Sequence, residues 1–557
     1  MFASELMLCL SGLMSPQAPP QAPAVVMQEI PLRGIVLPEL EGVPLASRFI
    51  ESLDGGGKGW KAMAGLARGD VADALRMRFG NEISNNELSI DVASDMRDVI
   101  TLHGTKELTQ AAATYAAWIE RSVSRGIQVD LRVYAVDTMP AEPHGTYPQG
   151  GLSGMAGMRL LWSGSTSGVA QRFVTFDAIR RQPVMIDFDV EVAQKADIAD
   201  PKVSAVLSGL RAVVQPFGFA SSDEIGALAD LGFGIRRDTG DTWSSGVMKQ
   251  PLLDSPRVDR VSARMSGRVP SGGSLVAWAG GDPALGPQIA VEIALRWRGP
   301  APQIAPTDAV LPIAFGLPQF EPEDDHGSDG VYVPGDEKRI LAGKADDPTR
   351  SKYQADELTG IVQDAIQSEG SFVIRAGSVL IVHGTAEQVT RARELIATMI
   401  DSAALGVDVV AETRSDDGKL LLHRTLVPTL LGVPCSLDRG EEGVFVRDLD
   451  VEIAQSATAM NPVVDHWFSG IRCEAVVSRG IGSLVADVGI DLSARGPAQR
   501  RAVEGDRGGA FDVAASDGRR MTLRSLFERG ETVGLGQGPS LMVGGGSVRT
   551  QQSVTLR

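Results

Sequence analysis

The residues with the clearest potential for chemistry are acidic and come in two sets. Asp187, Asp189 and Glu191 alternate with Phe188, Val190 and Val192, and Asp448, Asp450 and Glu452 alternate with Leu449, Val451 and Ile453. On a strand, each set places three carboxylates on one face. Like charges at that spacing repel unless they are solvated, paired or bound to a cation. Three readings follow. The face is open to water; or it pairs with Arg211 and Arg472, which recur at the same distance downstream; or it binds Ca²⁺, which takes oxygen ligands. The apolar partners of the pattern explain it most cheaply, as the core face of a structural strand that turns at Pro201 and Pro462. The six carboxylates are kept as weak candidate metal ligands.

Other motifs are weaker. His103 and His383 recur, each at a strand end before Gly, but no second His or Cys recurs beside them. A capping or hydrogen-bonding role is expected rather than a ligand or base. Asp325, Asp329, Gly330 and Asp336 half-match a Ca²⁺ loop, but Gly327 and Pro334 break it. Gly55–Gly59 ("GGGKG") lacks the phosphate-loop spacing. Gly164–Gly168 ("GSTSG") puts Thr166 where a nucleophile elbow needs Ser, and reads as a hairpin tip. Cys9, Cys435 and Cys473 are too scattered to make a metal framework. No catalytic residue, cofactor-binding residue or cofactor is assigned, and the chain reads as no enzyme.

These candidates must be positioned by a repeated architecture. Asp187–Arg211 and Asp448–Arg472 align without a gap and share twelve of 25 residues. Upstream, Leu102–Val133 aligns with Val382–Thr413, including His103-Gly104-Thr105 and His383-Gly384-Thr385. Both copies read as strand, helix, strand, with Thr105 and Thr385 as N-caps. Leu108, Ala112, Tyr115, Ile119 and Val123 form a helical stripe, as do Val389, Ala392, Leu395, Ile396 and Met399. Ile127, Val129, Leu131 and Val133 then alternate as one strand face. Downstream, Val291–Pro300 resembles Val488–Pro497. A segment about 217–287 reads as an insertion with a short helix at "SSDEIGALADLGF".

Composition narrows the function classes. The 557 residues carry a net charge of −17, with 43% apolar and only 5% aromatic residues. That charge does not favour nucleic acid or an anionic membrane, because phosphate binding needs clustered Lys and Arg. No stretch reaches the roughly 18 apolar residues of a spanning helix. Leu6–Met14 could be the apolar part of an export signal, but Glu5 stands where a basic residue is expected.

Several stretches resemble the secretin family of bacterial secretion and pilus systems. Gly384-Thr385-Ala386-Glu387, followed by the strand Gly406–Thr413, is similar to the small amino-terminal secretin domains, which stack into rings. "GEEGVFVRDLDVEIA", "SGIRCEAVV" with "ADVGIDLSARGP", and "ASDGRRMTLRSLF" are similar to the strands of the family's carboxy-terminal domain. The resemblance implies a divergent, internally duplicated structural protein of the periplasm or cell envelope, acting through protein partners or self-association. Low aromatic content and the lack of an evident membrane-inserting segment at the C-terminus do not favour insertion. The alternative is a secreted or periplasmic ligand- or Ca²⁺-binding protein using the carboxylate strands.

The fold class expected is α+β: two tandem units, each a βαβ module followed by an antiparallel β-rich module. The expected divisions are a tail or signal (1–28), α+β module 1 (29–140), β-rich module 1 (141–300), an acidic Pro/Gly linker (301–350), α+β module 2 (351–415) and β-rich module 2 (416–557). The strands Ile127–Val136 and Val407–Thr413 are expected to be exposed edges available for assembly.

Overall fold

The computed structural model describes residues 25–31, 68–312 and 355–557, with short internal gaps, the longest being 244–252 and 503–509. The expected α+β class of βαβ modules is not what forms. Every strand pair among the described residues is antiparallel, and the chain is built mainly of strands.

Two small sheets carry the helices. In the first, β1 (Val26–Pro31), β2 (Leu88–Val92) and β3 (Val99–Gly104) lie in the order β1-β3-β2, with α1 (Arg68–Arg78) and α2 (Lys106–Val123) against them. The strand after α2, β4 (Gly126–Val136), does not return to that sheet. It enters a large one instead, so no βαβ unit closes. β5 (Met158–Val169) follows it as a paired strand, not as the hairpin tip expected at Gly164–Gly168.

Then come two long strands, β6 (Val174–Ala193) and β7 (Ala196–Gly218), and β8 (Ile225–Arg237), β9 (Arg257–Val269), β10 (Ser274–Gly281) and β11 (Ile289–Trp297). The helix expected in "SSDEIGALADLGF" is therefore the strand β8. Ile225–Gly234 are all buried, because β8 is covered on both faces. A strand buried on both sides shows no period-two signal.

The second small sheet takes β12 (Asp308–Pro312) from inside the segment read as linker. It pairs with β14 (Val379–His383), which also pairs with β13 (Phe372–Ala376); α3 (Ala355–Ile366) and α4 (Ala386–Ile396) cover it. Thr385 caps α4 through a full capping box with Gln388. Again the next strand, β15 (Gly406–Ser415), leaves for the large sheet. The chain continues through β16 (Leu421–Leu430), β17 (Cys435–Ala454), β18 (Ala457–Arg479), β19 (Leu484–Arg495), β20 (Ser516–Phe527), β21 (Thr532–Gln537) and β22 (Thr550–Leu556).

Two large sheets face one another. Sheet I runs β6-β7-β8-β9-β17-β18-β19-β20, and sheet II runs β5-β4-β11-β10-β16-β15-β22-β21, with Thr146–Tyr147 paired to β10. One core lies between them. Sheet II contributes Ile127, Val129, Leu131, Val133 and Ile293; sheet I contributes Leu210, Ala212, Ala263, Ile471 and Ile490. The alternation in β4 is thus realised, with all four of its apolar residues fully buried.

Candidate assembly interface

The order of strands is the most informative feature of the molecule. Sheet I consists of two four-strand sets, β6 to β9 and β17 to β20, laid side by side in the same direction of progression. The last strand of the first set, β9, pairs with the first strand of the second, β17. Sheet II does the same: β5-β4-β11-β10 is followed by β16-β15-β22-β21, joined at β10 and β16. The sets meet head to tail, not face to face.

Local details match between the sets. β6 and β17 both have 20 residues, and β7 and β18 both have 23. A bulge falls between Met185 and Asp187 in one and between Val446 and Asp448 in the other. Another falls at Val133/Tyr134 and at Thr413/Arg414. Gly209 and Gly470 occupy the same place. A Cβ at either would strike a carbonyl oxygen of the adjacent strand, that of Ala178 or of Arg439. The sequence match of Val291–Pro300 with Val488–Pro497 does not hold in space, since β11 lies in sheet II and β19 in sheet I.

The face of sheet I turned away from the core carries cross-strand ion pairs. Asp177 Oδ2 of β6 lies 3.6 Å from Arg211 of β7, and in the second set Asp438 Oδ2 of β17 lies 3.3 Å from Arg472 of β18. Arg211 and Arg472 therefore recur to pair with these aspartates. At the joint, Arg260 of β9 donates to Glu442 at 2.6 Å and to Asp438 at 3.2 Å, and stacks over Phe468. Arg260 is almost wholly buried. Paired charges with hydrogen bonds are the form in which a buried arginine is tolerated.

A second buried arginine ties the joint to sheet II. Arg439 of β17 is fully buried. Its guanidinium donates to the carbonyl oxygens of Asp282 (3.0 Å), Gly286 (2.6 Å) and Pro287 (2.8 Å), and contacts Nδ1 of His423 at 2.8 Å. Burial, and then the Arg439 charge, push the His423 pKa well below 6.5, so the neutral ring accepts from Arg439. Burial also lowers Arg439 to about 10. Sequence reading missed both arginines. The signal available was the mismatch between copies, since Ala178 stands in β6 where Arg439 stands in β17.

The candidate ligands are less eventful. Asp187 Oδ2 lies 3.6 Å from Lys202 Nζ across the hairpin. Asp189, Glu191, Asp448, Asp450 and Glu452 lie on described strand backbone, but their side chains fall outside the described residues. The half-matched loop Asp325–Asp336 and Gly55–Gly59 also fall outside them. No group of three metal-ligating side chains occurs among the described residues. His103 Nε2 stands 3.5 Å from Asp91, and His383 Nδ1 stands 2.7 Å from Asp308, each on a neighbouring strand. Burial acts to raise the Asp308 carboxyl, but the hydrogen bond and charge of His383 bring it below its usual range. Cys435 and Cys473 are buried free thiols; burial pushes Cys435 up to about 12, so it is no nucleophile at neutral pH. No helix among the described residues is long and apolar enough to cross a membrane.

The expected assembly edges are corrected. β4 is paired on both sides, by β11 and β5, and β15 by β16 and β22. The ends of the described sheets are instead β6 and β20 in sheet I, and β5 and β21 in sheet II.

No family model matches the chain, and no curated protein matches it. Among solved structures, it is similar to the secretin domain β-barrel of InvG from the Salmonella SPI-1 injectisome. Identity is 13%, over 50% of this chain and 89% of that one, with a TM-score of 0.22. A near-atomic cryo-EM structure of InvG gives 12%, 50%, 87% and 0.23 in the same order. The Vibrio cholerae type IV competence pilus secretin PilQ gives 7%, 96%, 76% and 0.15. At such TM-scores the similarity equates neither fold nor activity.

Proposed function

We propose that this chain is a non-catalytic assembly protein of the bacterial cell envelope, secretin-like in kind, that works by adding its sheet ends to protein neighbours. The head-to-tail joint carries this reading. Two sets joined face to face would use up their contact surfaces; two sets joined head to tail leave a new end like the one just filled. Among the described residues both large sheets end in this way, with β6 and β5 at one end and β20 and β21 at the other. Unpaired strand edges offer rows of backbone donors and acceptors to a further strand. The sequence resemblance to secretins supports the envelope setting.

The test is the absolute mass of the full chain by light scattering on a sizing column, with and without detergent. Multiples of 58.9 kDa are expected. A single 58.9 kDa species under both conditions contradicts the reading.

A further inference from the structure

The internal joint serves as a template for the next one, and it has a defined register. In it Ser262 of β9 faces Asp438 of β17, and Arg260 faces Gly440. The counterpart of β17 is β6, where Asp177 stands for Asp438 and is bound by Arg211 as Asp438 is by Arg472. The counterpart of β9 is β20. Arg211 faces Gly232, which faces Ser262; Arg472 faces Asp491, which faces Arg520. Arg520 therefore occupies the position of Ser262.

We propose that β20 of one chain pairs with β6 of a second copy in the register of the internal joint, so that Arg520 stands opposite Asp177 and Asp517 opposite Arg180. This inference rests on the self-assembly reading above. It adds that the joint between chains is of a different kind from the joint within one. The buried arginines have no counterparts at the ends: Ala178 replaces Arg439, and Gly518 replaces Arg260. Glu442 is replaced by Arg181, and His423 by Trp162 of β5.

What the β6 end offers instead is exposed charge. The Asp177 side chain is 60% exposed, and Arg180 and Arg181 are exposed. Exposed charges set register and steer association but add little cohesion, and salt screens them. The whole chain is thus the indivisible block, with a locked joint inside and a salt-sensitive joint outside. Tying two sets into one chain guarantees every second joint without the second joint having to be tight.

The test compares the full-length wild-type chain with Asp177→Arg, Arg520→Asp and the double exchange. Masses are read at about 0.05 and 0.5 M salt, a change that shortens the screening length about threefold. Circular dichroism confirms that each variant is folded. The wild type is expected to assemble at low salt and to associate more weakly at high salt. Each single exchange sets like charges opposite one another and is expected to weaken association by about tenfold or more. The double exchange restores it. Folded single variants that assemble like the wild type, or a folded double variant that does not recover, overturn this register while leaving self-assembly standing. A wild type that is single chains at low salt overturns the self-assembly reading and this inference with it.

Discussion

The two strand sets share an architecture and differ in what seals them. At the front of the second set, β17 presents Arg439 and Glu442 to the preceding strand and to sheet II, and both are buried in hydrogen bonds. At the front of the first set, β6 presents Ala178 and exposed Arg181 in the same places. Shared features are those the backbone demands: the hairpin lengths, the bulges, and the glycines at 209 and 470. Divergent features are those that depend on whether a neighbour is covalently present. A strand that always has a partner can bury charge beside it; one that meets a partner by collision cannot, because each free chain would expose or strand that charge.

Mutations can break this comparison at several points. Arg439→Ala is expected to have the largest effect. It leaves three carbonyl oxygens, that of Gly286 buried and those of Asp282 and Pro287 part-buried, and the buried His423 nitrogen without their donor, and costs about 3–5 kcal/mol in denaturant unfolding. Ala178→Ser, at the matching place in β6, is expected to cost less than about 0.5 kcal/mol. Equal losses would mean that the two fronts are sealed alike.

Gly209→Ala and Gly470→Ala test the shared backbone instead. Gly209 has φ +117°, and in both positions a Cβ meets the neighbouring strand's carbonyl. Each substitution is expected to cost about 2–3 kcal/mol, by similar amounts. A large inequality would show that the sets do not share this crossing.

The joint is also expected to contribute a pH dependence. His423 has a folded-state pKa below its unfolded value of 6.5. The unfolded chain therefore binds the proton first, and the stability from the neutral ring is complete above pH 6.5 and is lost as pH falls below it. The slope is about 1.4 kcal/mol per pH unit. His423→Gln removes that slope. Trp162 holds the matching place in the first set and contributes none.

Much of the local structure was legible in the sequence. The alternation of Ile127 to Val133 marked a buried face, the stripes marked α2 and α4, and Thr385 caps a helix as expected. What was not legible was where each strand goes. Period-two alternation says which side of a strand is buried, not which sheet it joins, so the sequence pattern suggests βαβ modules with free edges at β4 and β15. Both are paired on both sides within sheet II. The same blindness matched β11 to β19, two alternating strands that end in Arg-Gly-Pro but lie in different sheets. β8 was hidden for the opposite reason, as burial on both faces erased its alternation. The joint arginines could have been found only by asking where two similar copies differ.

If the chain assembles as proposed, its interaction edges are β6 and β20, and not β4 or β15. Amide hydrogen exchange of the full chain at low and high protein concentration tests it most directly. Protection is expected to rise with concentration in 174–181 and 516–523, and to stay constant in 126–136 and 406–415. Protection that rises in the latter segments, or in none of the four, contradicts it.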